Sequence, residues 1–241
     1  GDYNLTVTGS EPLNITNAER TIEVHDFICY APLIVTSTSE KYDEPTIKVW
    51  KFAVYCSELT IYGNYPLSAS NININSIAVN IRALKECGMT AFYDTYISCE
   101  TLEINSENTA IRSQNCVTVI VSKYCIINSN MDGIATTASL STDNNIYLGG
   151  RIIINAERFG LSTNNGSIYS KGSPSGNARQ LPALEQLHIT ADEPISAVGV
   201  INLRCADAKI TATGKDEPAI EGTSTYLGGV YDIKTNGGYG V

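Results

Sequence analysis

Chemistry in this chain has to come mainly from carboxylates, aromatic rings or thiols, because only two histidines exist, His25 and His188, far apart in sequence. Three acidic turns share one form: Asp43-Glu44-Pro45, Asp192-Glu193-Pro194 and Asp216-Glu217-Pro218. Hard cations such as calcium take clustered oxygen ligands. Asp192, Glu193, Asp216 and Glu217 are therefore candidate metal ligands, and calcium is the candidate cofactor. The same strings also make ordinary solvated turns, in which proline presets φ and aspartate bonds its own backbone. Aromatic rings offer a second chemistry, since a flat ring covers the apolar face of a pyranose. Trp50, Tyr62, Tyr65, Tyr93 and Tyr96 are the candidate carbohydrate-binding residues. Trp50 is exterior if Ile47 and Val49 point inward, and Tyr62 is exterior beside Ile61. The alternative is a rim of rings packed on turns or against a second copy.

Catalysis finds little support. Asp26 adjoins His25, but no motif surrounds the pair. No nucleophile–base string, glycine-rich phosphate loop or HExxH stands out. Arg82, Arg112, Arg151 and Arg204 fall at different repeat positions, so no cationic cleft is expected. The cysteines at 29, 56, 87, 99, 116, 125 and 205 form no CxxC pair, and seven cannot all pair within one chain. They are expected to be buried, reduced thiols packed as small apolar residues.

The bulk composition narrows the partners. The formal charge is −9, from 16 basic and 25 acidic residues, so a phosphate backbone would be repelled and nucleic acid is not expected. No run of about 18 apolar residues exists, so no membrane span is expected. Apolar residues make up 43% and charged residues 17%, which argues against disorder. Abundant Ile, Thr, Asn, Ser and Tyr read as strands and turns.

The elements that position these residues repeat. A strand pattern of apolar, any, apolar occurs as Leu59-Thr60-Ile61, Leu102-Glu103-Ile104, Cys125-Ile126-Ile127, Ile152-Ile153-Ile154 and Leu187-His188-Ile189. It goes on as Ala208-Lys209-Ile210 and Tyr231-Asp232-Ile233, with weaker copies at Leu33 and Val79. Leu5 or Leu13 opens the series. A second pattern follows each copy, as in Ala110-Ile111-Arg112-Ser113 and Gly133-Ile134-Ala135-Thr136. The repeat starts at 33, 59, 79, 102, 125, 152, 187, 208 and 231 give a period of about 24 residues, enough for three short strands and three turns. A third strand is visible at 117–122, 146–149 and 199–205. Cys56, Cys99 and Cys205 each precede a first strand by three residues and should stack. Asn105, Asn128 and Asn155 share one position, continued by Thr190 and Thr211, as an amide ladder hydrogen-bonded between coils would require.

This pattern predicts an all-β, single-domain right-handed parallel β-helix of about nine or ten coils over 1–241, with a projecting loop near 171–182. A bacterial leucine-rich repeat is the alternative, on the strings Cys99-x-x-Leu102-x-Ile104 and Cys56-x-x-Leu59-x-Ile61. The strings Ala208-Lys209-Ile210-Thr211-Ala212-Thr213-Gly214 and Ala219-Ile220-Glu221-Gly222 resemble the right-handed β-helix proteins of the pectate-lyase-like superfamily. More narrowly, they are similar to the noncatalytic, calcium-associated sugar-binding β-helices exported by anaerobic polysaccharide-degrading bacteria. The resemblance implies a secreted or cell-surface protein that binds polysaccharide, acidic sugars included. A structural or adhesive module that binds protein, and a divergent polysaccharide lyase or hydrolase, are the alternatives. The closing Gly237-Gly238-Tyr239-Gly240-Val241 offers no clear cap, so a partner or further domain is expected at the C-terminal coil.

Overall fold

The computed structural model describes residues 3–18, 20–41, 43–137, 144–171 and 180–241. It is an all-β parallel solenoid of about nine turns, with no α-helix among the described residues. Alternation within the strands sets this architecture. Leu102 and Ile104 are fully buried, and Glu103 between them is exposed, as the two-residue period of a strand requires. One such tripeptide cannot bury its apolar face alone, but stacking it on its equivalents makes a continuous core.

Each turn carries three strand segments. On the first face, Leu13, Leu33, Leu59, Val79, Leu102, Cys125, Ile152, Leu187, Ala208 and Tyr231 form one column, each paired in parallel with the next. The repeat starts expected from Leu33 onward all fall in this column. Its opening member is Leu13, whereas Leu5 pairs with Phe27 on the third face. The second face stacks Ile22, Ile47, Leu67, Met89, Ile111, Ile134, Leu161, Ile195 and Ile220. The third stacks Phe27, Phe52, Ile72, Thr95, Val117, Ile146, Ile168, Ile201 and Thr225. Strands such as Ile47–Gly63 and Leu67–Ala83 bend round two corners and serve all three faces. Three strand segments per turn set the leucine-rich alternative aside, since that repeat has one strand.

The interior is one contiguous apolar cluster. Phe27 and Phe52 stack within it at 5.5 Å between centroids. Each wholly buried Leu or Ile contributes roughly 1.5–3 kcal/mol. Polar groups tie the corners. Cys56, Ser76 and Cys99 are lateral neighbours, as the spacing predicts. The thiols of Cys29, Cys56 and Cys205 donate to the carbonyls of Ala31, Glu58 and Asp207 at 3.1, 3.0 and 3.2 Å. The Ser76 hydroxyl makes the same bond to Ala78. The seven cysteines are free thiols. Burial pushes the thiols of Cys29, Cys87, Cys125 and Cys205 up, and that of Cys99 up to about 12.

The amide ladder is present. Asn128 Nδ2 donates to Asn105 Oδ1 at 2.8 Å, and Asn155 Nδ2 to Asn128 Oδ1 at 2.9 Å. Thr190 and Thr211 extend the column. Two identical strings, Tyr147-Leu148-Gly149-Gly150 and Tyr226-Leu227-Gly228-Gly229, turn the same corner, with Gly150 at φ 95° and Gly229 at φ 112°. Most of the loop expected near 171–182 falls on 172–179, outside the described residues. Leu181, just after it, is buried against Tyr147, beside Ile120 and Tyr169. Among the described residues no helix is long and apolar enough to cross a membrane.

Candidate functional site

Trp50 stands where the strand Ile47–Gly63 bends from the second face to the third. Ile47 and Val49 point inward, at 0% and 6% exposure, so the indole between corner and solvent is 50% exposed. The equivalent corner of neighbouring turns brings more rings. His25 stacks on Trp50 with centroids 6.1 Å apart and planes 14° from parallel. Tyr93 meets the indole edge-on at 6.1 Å, and Phe92 meets Tyr93 at 5.1 Å. Phe92, Tyr93 and Tyr96 are themselves exposed.

Beside this ridge the third face is polar. Asn71 pairs laterally with Lys51, and Asn73 with Ala53 on one side and Tyr96 on the other. A groove of about 460 Å³ is lined here by Trp50, Lys51, Asn71, Asn73, Asp94 and Tyr96. At the opposite corner of the face, Tyr30 and Tyr55 stack at 5.5 Å, and Asn73 Nδ2 donates to Tyr55 Oη at 3.3 Å. On the second-face side of Trp50 lies another groove of about 500 Å³, lined by Tyr3, Glu23, His25, Lys48, Trp50 and Ser70. His25 Nδ1 lies 2.8 Å from Asp26 Oδ1, close enough for an ion pair but not aligned as a hydrogen bond.

Of the rings expected to bind carbohydrate, Trp50, Tyr93 and Tyr96 therefore meet at one site. Tyr62 and Tyr65 do not join them. Tyr62 lies on the first face, where the Arg82 guanidinium sits 5.7 Å from its ring centroid and occupies that surface. Tyr65 is half-buried at the turn into the second face, where its carbonyl accepts the Thr46 amide. Sequence reasoning missed Phe92, Asn71, Asn73 and Asp94, and placed His25 outside the site. A signal was available: His25, Trp50, Ser70 and Phe92 each lie three residues after a second-face start.

The acidic turns behave individually. Asp132 is buried and held by Arg158, whose Nε and a terminal nitrogen donate to its two oxygens at 2.8 and 2.7 Å. Asp192 accepts the Thr213 hydroxyl at 2.8 Å. Burial first, then the charges of Glu217 and Glu221, push the Glu193 carboxyl above the usual glutamate range. Asp216 takes φ 62°, a left-handed turn that aspartate tolerates. Among the described residues no three His, Cys, Asp or Glu side chains converge as a cage for a metal ion. His188 pairs with Asp207 at 3.1 Å on the first face, away from the His25 corner.

No family model matches the chain, and no curated protein or solved structure is significantly similar to it.

Proposed function

We propose that this protein is a noncatalytic carbohydrate-binding solenoid whose ligand rests on the Trp50 corner. The observation that carries the reading is a half-exposed indole, with Tyr93 and Tyr96 nearby, beside the carboxamides of Asn71 and Asn73. Rings supply flat apolar area for the C–H face of a sugar, and carboxamides both donate to and accept from its hydroxyls. Concave surfaces of this mixed kind are where small polar ligands bind. A secreted or cell-surface location, where polysaccharide is met, goes with this reading.

Retardation of the native protein in gels containing neutral or acidic polysaccharides, with and without calcium, tests it. Slowed migration that Trp50→Ala abolishes, with the β-sheet circular dichroism unchanged, is the expected result. Retardation only with calcium would bring the carboxylates of Asp192, Glu193, Asp216 and Glu217 into the account. Unretarded migration in every gel would sink the proposal and favour a protein-binding surface module. Release of unsaturated or reducing sugar would favour a lyase or hydrolase.

A further inference from the structure

We infer that the ligand is the interior of a linear, uncharged polysaccharide draped over Trp50 and occupying both grooves at once. The inference rests on the reading of the Trp50 corner as a sugar site. Three observations carry it.

The first is continuity. Trp50 lines the groove of about 500 Å³ on the second-face side and the groove of about 460 Å³ on the third-face side. Each falls within the roughly 300–1,000 Å³ of ordinary small-molecule sites. A ligand confined to one of them would use only one flank of the indole. His25 also lines both, so the ridge between them is a pair of stacked rings, and a chain can cross it without losing contact.

The second is direction. Rings cap both corners of the third face, Trp50 with Tyr93 on one side and the stacked Tyr30–Tyr55 pair on the other. Asn73, whose amide reaches Tyr55, lies between them. The path from the second-face groove over Trp50 to these carboxamides runs around the solenoid, along a strand, and not down its axis. Neither groove closes around a chain end, so an internal stretch of polymer can lie in both.

The third is charge. In the second-face groove Glu23 and Lys48 neutralise each other, with Nζ 3.1 Å from the carboxylate. The third-face groove carries two carboxylates, Asp26 and Asp94, against Lys51 and the His25 ring 2.8 Å from Asp26, so it offers no net positive charge. A uronic acid polymer would place its own carboxylates beside these, at a Coulomb cost that grows as water is excluded. A neutral chain pays no such cost. The acidic sugars that the family resemblance implies therefore fit this surface poorly.

Isothermal titration of the native protein with cello-, xylo- and manno-oligosaccharides of two to six units, and with oligogalacturonides of the same lengths, tests the inference. The expected result is that one neutral series tightens by at least about tenfold from two units to six. Tyr96→Ala and Tyr3→Ala, one change in each groove, should each erase most of that length gain. Equal affinity for two and six units would overturn the two-groove inference and leave sugar binding standing. Binding of oligogalacturonides alone would overturn the uncharged class and again leave sugar binding standing. Silence from every series, together with unretarded migration in polysaccharide gels, would overturn both.

Discussion

Replacing Gly150 with alanine puts the stacking geometry under the sharpest strain. Gly150 has φ 95°, and a Cβ added there would overlap the carbonyl oxygen of Val121 and lie 2.8 Å from its carbon. The obstacle is backbone in the preceding turn, so no side-chain rotation relieves it. The disfavoured φ costs about 1–3 kcal/mol, and displacing a packed backbone adds about 1–3 kcal/mol. A total of about 2–6 kcal/mol follows, or roughly 4–24 °C in melting temperature for a chain of this size. Gly9→Ala separates the two contributions. Gly9 also has positive φ, 140°, but nothing lies within 4 Å of its added Cβ, so only the conformational part remains. Thermal melts followed by circular dichroism at 218 nm compare the variants. If Gly150→Ala melts no lower than Gly9→Ala, the close approach of successive turns at this corner is wrong. Gly229 repeats the geometry against the Cys205 carbonyl, and its alanine variant should fail in the same way.

Other outcomes follow from the same structure. Asn128→Ala removes the amide that both accepts from Asn155 and donates to Asn105, and urea denaturation should show a loss of about 1 kcal/mol. Iodoacetamide at pH 8 followed by mass spectrometry should label the half-buried Cys56 and Cys116 first. Cys99 and Cys125 should react only in denaturant, because burial keeps their thiols protonated. Glu193 binds its proton more tightly folded than unfolded, so stability should fall as pH rises from the ordinary glutamate value through the raised folded one. Glu193→Gln should flatten that slope in pH-dependent melts and stabilise the neutral-pH protein by less than about 1 kcal/mol, since the side chain is only half-buried.

The first face was legible because its interior positions carry large aliphatic residues at nearly every turn, and a two-residue alternation fixes which side they face. The second face was read at most turns but not at Ile22 or Met89. At Met89 a methionine stands where the other copies of the pattern carry Ile or Leu. The third face was the hardest. Its interior column includes Thr95 and Thr225, and its exterior mixes Asn, Tyr and Thr, so neither side announces itself. The binding surface suffered from the same ambiguity. Trp50 could be placed from Ile47 and Val49 alone. Tyr62, equally exterior by alternation, belongs to the first face, and the third face with the bend near Cys56 lies between it and Trp50 along the same strand. Asn71, Asn73 and Asp94 reach the site through lateral pairing across 20 or more residues, a relation that the strand pattern of one turn does not contain. Charge placement was legible only in outline: Asp132, Asp192 and Glu193 lie in equivalent turns but have an arginine, a threonine and other carboxylates as respective neighbours.

Trp50 is the chain's single tryptophan, so intrinsic fluorescence reports on the proposed site without labelling. Titrating the native protein with soluble neutral polysaccharides while following tryptophan emission is the most direct test. The account predicts a saturable blue shift, as a sugar face replaces water on a half-exposed indole, and a weaker response in Tyr96→Ala. A polysaccharide that demonstrably binds, yet leaves the emission unchanged at saturation, would place the ligand elsewhere on the solenoid and contradict the account.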